Sequence, residues 1–189
     1  FHPDLIMTMD ADFSHNPENI PDFVDKINEG YDLVLGSRYI KGGGVGNWGI
    51  HRTIISKGAN FLAKTILGLT TKDNTTGYRA YKSEALDRCN LDSIKSNGYS
   101  FLMEMVFWCR YHNFRITEIP IFFDIRRHGA SKISKKEIFM AAKTLFGLKF
   151  RVKPVNYYVA MKRIKLAEKF LTKNGKILEI STNGLLLSE

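Results

Sequence analysis

Short apolar runs alternating with amphipathic stretches set the framework of the chain. Residues 4–9, Asp4-Leu-Ile-Met-Thr-Met, form a compact apolar run followed by polar residues, which predicts a buried strand. Breakers and helix-starting residues occupy 16–21. Ile20, Phe23, Val24 and Ile27 then recur at helical spacing until Gly30 stops the helix. Tyr31–Gly36 predicts a second buried strand, so the opening reads as the strand–helix–strand unit of a parallel α/β sheet. The stretch 41–49 is too glycine-rich to hold an element and predicts a mobile loop. Ile54, Ile55, Ala59, Phe61, Leu62 and Ile66 mark a helix ending near Gly68. A short strand at 78–81, a short helix at 83–89 and a longer helix at 100–112 follow. Residues 114–123 alternate and are β-branched, a strand interrupted or edged by Pro120. A helix over 135–150 carries Ile138, Phe139, Ala142, Leu145 and Phe146 on one face with lysines around them, and 157–173 predicts a second, basic helix.

Composition places the chain among folded proteins: 189 residues, 44% apolar and 25% charged. No apolar run approaches the roughly 18–20 residues of a bilayer span, and the first residues do not have the pattern expected of a signal peptide. Phe1 lies inside an apolar run, which suggests a piece of a longer protein. Cys89 and Cys109 show no metal-like spacing and read as two reduced thiols of a cytosolic setting. The net charge of +9 is concentrated in one place. Residues 126–169 hold 13 Lys and Arg against two acids, whereas residues 1–125 are slightly acidic, 13 bases against 15 acids. Such a stretch suits phosphates of a nucleotide, a nucleic acid or lipid headgroups, or is a solvated basic helix with no partner.

Candidate chemistry gathers at strand ends. Asp10-Ala-Asp12 follows the first strand, at the carboxyl edge where open α/β sheets bind ligands. Residues i and i+2 of an extended segment point the same way, so both carboxylates can converge on one hard cation such as Mg²⁺. A solvated surface turn explains the same pair. Gly36-Ser-Arg38 brings a guanidinium, able to meet a phosphate with two parallel hydrogen bonds, to that sheet edge. Arg126-Arg-His-Gly-Ala-Ser-Lys132 adds a third, basic cluster after the last strand. Two carboxylates, a cation and several bases make a diphosphate-handling site.

Seven stretches occur in the order seen in one family: Asp10-Ala-Asp-Phe-Ser-His-Asn-Pro, Gly36-Ser-Arg-Tyr, Gly42-Gly-Gly-Val, Arg52-Thr-Ile-Ile-Ser-Lys-Gly-Ala-Asn, Asp73-Asn-Thr-Thr-Gly-Tyr-Arg, Gly98-Tyr-Ser-Phe and Arg126-x-x-Gly-x-Ser-Lys. Over residues 1–150 the chain resembles the dolichol-phosphate mannosyltransferases of the family 2 glycosyltransferases. The resemblance implies an α/β fold of GT-A type, a Rossmann-like mixed sheet flanked by helices. It also implies a catalytic domain over 1–150 of which this is the C-terminal two-thirds, with 151–189 a basic helix and short tail. Mg²⁺ or Mn²⁺, GDP-mannose as donor and a dolichyl or polyprenyl phosphate as acceptor are implied with it, as are a peripheral place on the cytoplasmic face of a membrane and a membrane-anchoring subunit or domain. By position, Asp10, Asp12 and Ser14 resemble the metal ligands. Ala11 lies against the donor, Arg38 resembles the phosphate-binding arginine, and Arg126 and Lys132 resemble the loop residues that close on the donor diphosphate. Arg52 and Ser56 match positions facing the acceptor phosphate. Asp12, Arg126 and Lys132 stand as the catalytic set.

The sequence departs from the family pattern where Ile125 replaces an aspartate (with Asp124 beside it) and where Leu102 replaces a frequent glutamine ahead of Glu104. The family's opening strand and guanosine-gripping loop would precede Phe1, so these 189 residues alone are expected not to turn over. Glucose-transferring relatives share the same motifs and give an alternative donor. A phosphatase of D-x-D type fits poorly, because Phe13-Ser14 stands where a small Gly-Thr or Thr-Val pair is needed. A non-enzymatic nucleic-acid or membrane-binding module would use the basic stretch but leave Asp10 and Asp12 idle, and no nucleic acid is expected. The helix over 135–150 has the make-up of an interfacial helix, each base contributing about 1 kcal/mol at an anionic surface, or its apolar stripe packs on the core. In the tail, 176–181 faintly resembles the first strand of class I methyltransferases, but a β-hairpin through Asn183-Gly184 explains it better.

Overall fold

The structure is a computed structural model that describes residues 3–46, 48–89, 91–94, 96–124, 135–151, 180–181 and 184–185. The chain divides into two compact units, Phe1–Lys149 and Phe150–Glu189. The first holds a four-stranded sheet of β1 (Leu5–Thr8), β2 (Leu33–Ser37), β4 (Arg79–Lys82) and β5 (Ile116–Pro120), ordered β1-β4-β2-β5. Helices α1 (Ile20–Asn28), α2 (Ile50–Leu67), α3 (Ser83–Arg88) and α4 (Tyr99–Tyr111) connect these strands, and α5 (Lys135–Arg151) follows them. In the second unit β7 (Ile180–Ser181) and β8 (Gly184–Leu185) pair antiparallel, as a hairpin requires.

The first strand, helix and second strand form where the apolar pattern predicts, but β1 and β2 are not neighbours. β4 runs antiparallel between them, with Thr8 and Leu35 both level with Arg79. β5 joins β2 in parallel, Leu35 beside Glu118. The sheet is therefore mixed, and the carboxyl ends of β1, β2 and β5 share one edge with the segment entering β4. The core beneath it gathers Phe23 and Ile27 of α1 with Val34, Tyr78, Ala80, Ile119 and Ile121. Phe23 is fully buried, worth about 1.5–3 kcal/mol of transfer free energy.

The glycine-rich stretch is more ordered than expected. Gly44–Val45 (β3) pairs in parallel with Phe122–Phe123 (β6), and the amides of Gly44 and Gly46 donate to the carbonyls of Ile121 and Phe123. The glycines permit the approach: a Cβ on Gly43 would run into the Ser37 carbonyl oxygen. Helix α2 ends where Gly68 takes a left-handed conformation, φ 67°.

Helix α2 is turned inside out relative to an ordinary surface helix. It buries Ser56, Asn60, Ala63 and Leu67 and exposes Ile50, Ile54, Phe61 and Leu62. On α5 the apolar residues divide: Ala141, Leu145 and Leu148 are buried, Met140 and Phe146 exposed. Among the described residues no helix is long and apolar enough to cross a membrane. Cys89 and Cys109 are buried free thiols whose sulfurs stand 3.8 Å apart.

Candidate functional site

The two carboxylates of Asp10-Ala-Asp12 leave the end of β1 in a tight bend rather than along a continued strand. β1 stops at Thr8, residues 11–13 bend, and exposed Phe13 adopts φ 64°. Four hydrogen bonds hold the bend. The Asp10 amide donates to His15 Nδ1 at 2.9 Å. The Ser14 amide (3.1 Å) and hydroxyl both donate to Asp12 Oδ1. The Asp124 amide donates to the Ser14 carbonyl at 3.1 Å, drawing the segment that leads to residue 125 against the bend. On the far side, the Tyr78 hydroxyl donates to the Asn16 carbonyl at 3.0 Å. Ala11 is exposed at the centre of the bend.

The bend carries three hard oxygen donors, the Asp12 carboxylate and Ser14 hydroxyl in contact with each other and the Asp10 carboxylate beside Gly77. Among the described residues no cluster of three or more His, Cys, Asp or Glu side chains stands ready for a metal. Two carboxylates and a hydroxyl nevertheless fit a Mg²⁺- or Mn²⁺-type cation, which keeps several positions for water and substrate phosphate. The donor set itself is the observation in favour: all oxygen, with Asp12 and Ser14 already in contact.

Arg38 does not present an open fork. Its Nε and Nη2 close on Asp73 at 2.6 and 2.7 Å, and Nη2 also reaches Thr75 Oγ1 at 2.8 Å. Both partners are buried, Asp73 completely. Burial opposes the charge, yet the hydrogen bonds and ion pair to Asp73 hold the Arg38 guanidinium above its ordinary pKa. The Nε–Nη2 edge therefore braces the 71–77 loop, while Arg38 also lines the neighbouring cavity. Asp73 and Lys72 amides donate in turn to the Glu118 carboxylate at 2.9 Å each. Asn60 of α2 completes the brace, accepting from the Asn74 amide and donating to Thr75 Oγ1 and the Ser56 carbonyl. The polar part of the inner face of α2 follows from this: Ser56 and Asn60 face a loop, while Ala63 and Leu67 are its buried apolar positions.

Ser56 is buried and accepts from the Tyr39 hydroxyl at 2.7 Å. The Arg52 guanidinium lies 3.8 Å from the centroid of the Trp48 ring, a close cation–π contact. Beside them is a cavity of about 270 Å³ whose walls come from α2, α4 and α5, mostly apolar (Ile55, Leu62, Met103, Leu145), with Arg38 and Ser56 among its polar residues. Arg126 and Lys132 lie outside the described residues. Glu104 is buried and taken up by Ser96 Oγ and Trp108 Nε1.

The structure brings Asp10, Asp12 and Ser14 together in one bend, and Arg52 and Ser56 to one helix beside the cavity. Sequence reasoning gave no role to Asp73, Asn60, Thr75 or His15. The dense polar run 73–76 was the available signal for Asp73 and Thr75, since consecutive polar residues beside a strand must be hydrogen-bonded when buried.

A profile described as "Glycosyl transferase family 2" matches residues 2–89. The chain is 40% identical over 134 residues to a polyprenol monophosphomannose synthase of Mycolicibacterium smegmatis, covering 71% of this chain and 51% of that one. It is 37% identical over 147 residues to a dolichol-phosphate mannosyltransferase of Pyrococcus furiosus, covering 77% and 40%. Among solved structures, glucosyl-3-phosphoglycerate synthase from Mycobacterium tuberculosis, in complex with Mn²⁺, UDP-glucose and phosphoglyceric acid, superposes with a TM-score of 0.51 at 16% identity, over 78% of this chain and 51% of that one. That likeness shows a shared GT-A fold. Residues 2–89, just under half of the chain, match that family profile, and the family 2 glycosyltransferases are the family the chain resembles. Within that family the curated relatives it resembles are polyprenyl-phosphate mannosyltransferases, and it spans about half their length or less.

Proposed function

We propose that the chain supplies the metal, diphosphate and acceptor portions of an inverting mannosyltransferase that moves mannose from GDP-mannose to a dolichyl or other polyprenyl phosphate. The observation that supports this reading is the Asp10–Ser14 bend at the carboxyl edge of the sheet, in which the Asp12 carboxylate and Ser14 hydroxyl are in contact and the Asp10 amide is held by His15. The names of the relatives support the sugar and the lipid class.

A phosphate acceptor changes what the protein must do. Its second pKa is about 6, so at neutral pH the nucleophile is already largely anionic and no general base is required. The acceptor phosphate oxygen forms a bond to the anomeric carbon as the bond to the GDP oxygen breaks, and GDP leaves with the electron pair. Attack opposite the leaving group gives a β-linked product from an α-linked donor. Two anions must therefore be held close. Arg126 and Lys132 are assigned to the donor diphosphate, Arg52 and Ser56 to the acceptor phosphate, and Ala11 to the donor surface. Asp10, Asp12 and Ser14 would hold Mg²⁺ or Mn²⁺, which when bound supplies Lewis-acid stabilisation of the departing diphosphate. Arg38 enters as a positioning residue through Asp73. Replacing Arg52 by Ala is expected to raise the acceptor KM about tenfold or more while the donor KM changes little, as loss of one charge-assisted contact implies.

A lipid acceptor also explains helix α2. The outward face of α2, with Ile54 64% and Phe61 67% exposed, is assigned to the headgroup region of an anionic bilayer, beside Lys57 and Lys64. The neighbouring apolar cavity then receives the first isoprene units. Burying an isoleucine and a phenylalanine is worth about 1.5–3 kcal/mol each. The double variant Ile54→Glu/Phe61→Glu of the full-length protein is expected to bind anionic liposomes about a hundredfold more weakly with an unchanged melting temperature. Equal binding would remove α2 from the interface.

A donor screen of the full-length protein tests the function. GDP-mannose, GDP-glucose and UDP-glucose are offered with a short polyprenyl phosphate, with and without Mn²⁺. Mannosyl-lipid formation from GDP-mannose alone is expected; a UDP-glucose preference would favour the glucosyltransferase alternative.

A further inference from the structure

Beneath the carboxylate bend lies a histidine that belongs to neither the proposed metal ligands nor the proposed substrate-binding set. His15 is 2% exposed, stacked on Tyr78 with ring centroids 4.8 Å apart and met edge-on by Phe123 at 5.1 Å. Tyr78 is itself wedged against Phe23 in the core, 4.5 Å between centroids. The imidazole is therefore an extension of the core reaching under the bend, not a surface histidine. Its Nδ1 accepts the Asp10 amide at 2.9 Å, so Nδ1 carries no proton and the ring hydrogen sits on Nε2. Nε2 is buried and has no hydrogen-bond partner among the described residues. Leaving that buried donor unsatisfied works against the fold. The ring thus keeps an acceptor toward Asp10 at the expense of its other nitrogen.

We propose that His15 is a positioning residue: its Nδ1, by holding the Asp10 amide, fixes the backbone of the 10–14 bend so that the two carboxylates converge on one divalent cation. A free Asp10 amide would let the bend relax around Phe13, whose left-handed backbone is unfavourable for an aromatic side chain. The carboxylates would then separate even though neither had been altered. This inference rests on the metal site proposed above.

The test is a matched pair of variants in the full-length protein. Asn places an oxygen where His15 holds Nδ1, and Leu has nearly the same shape with no acceptor; both lose the ring stacking equally. Mn²⁺ affinity is measured by electron paramagnetic resonance without nucleotide or lipid. His15→Asn is expected to bind Mn²⁺ within about threefold of the parent, and His15→Leu at least tenfold more weakly, the range seen when groups supporting a metal site are removed, about 10–100-fold. Equal affinities for Asn and Leu would overturn the proposal while leaving the metal site in place. Absence of Mn²⁺ binding by the parent would overturn the metal site and the proposal together. Should the Leu variant fail to fold, the imidazole ¹⁵N shifts of the parent at pH 7.5 decide. A bare Nδ1 with the hydrogen on Nε2 is required, and the opposite tautomer would contradict it.

Discussion

Replacing Asp12 by Ala in the full-length protein is expected to lower mannosyl transfer about a thousandfold, equivalent to about 4 kcal/mol of transition-state stabilisation. The magnitude follows from how much converges on this carboxylate. Asp12 Oδ1 takes both the amide and the hydroxyl of Ser14, so its removal takes away one proposed metal ligand and frees another to turn away. Electrostatic stabilisation of developing charge is commonly the largest single contribution to catalysis, and losing one element of it costs factors of this size. The loss should fall on kcat, because the acceptor side, with Arg52 and Ser56 on α2, is untouched. Steady-state kinetics with GDP-mannose and a short polyprenyl phosphate provide the measurement, and near-normal kcat would remove Asp12 from the site. A control keeps the interpretation clean: Asp12 is partly exposed, so the variant should unfold at nearly the parent temperature.

The second large effect concerns stability rather than chemistry. Asp73→Ala strands the buried Arg38 guanidinium, whose Nε, Nη2 and backbone amide all donate to this one carboxylate. Breaking a buried pair from one side costs about 3–5 kcal/mol, since a charge remains without compensation. For a domain of this size the melting temperature should fall by about 10 °C. The double variant Arg38→Met/Asp73→Leu should recover part of that loss, because no buried charge is left behind. Recovery stays partial because the Asp73 carboxylate also accepts from the Thr75 amide and hydroxyl. Calorimetry of parent, single and double variants reads this directly, and a single variant as stable as the parent would show that the pair does not brace the loop.

The parts of the fold legible in the sequence are those whose burial is uniform. β2 is buried at every position, Leu33 through Ser37, and so it reads as an unbroken apolar run. α1 has a true apolar stripe, whose Phe23 and Ile27 pack with Val34 of β2 and Ala80 of β4. The place of β4 between β1 and β2 was not legible. The pairing of Thr8 with Arg79 joins positions far apart in sequence, and no local pattern encodes it. β3 escaped for a related reason: two residues held through backbone amides to β6 leave no side-chain signature. α2 shows the limit of the apolar pattern most clearly. Its isoleucines mark a helix correctly, but they stand outward, because the inward face is occupied by Ser56 and Asn60 bonding a polar loop.

The candidate site divides in the same way. Asp10 and Asp12 could be proposed from position alone, at a strand end, whereas Ser14 came only from the family resemblance. Arg38 was legible as a cation but not as a brace, since its partner Asp73 lies 35 residues away. His15 carried no signal: a histidine beside Asn16-Pro17 reads as a surface turn, and only its burial against Tyr78 gives it a role.

The decisive measurement is pulsed electron–nuclear double resonance on Mn²⁺ bound to the full-length protein with GDP-mannose. A ³¹P coupling from the donor diphosphate is expected in the parent, with the bound-Mn²⁺ signal lost in both Asp10→Ala and Asp12→Ala. A bound-Mn²⁺ signal that survives both substitutions, or one without phosphorus coupling, would contradict the carboxylate clamp at the sheet edge.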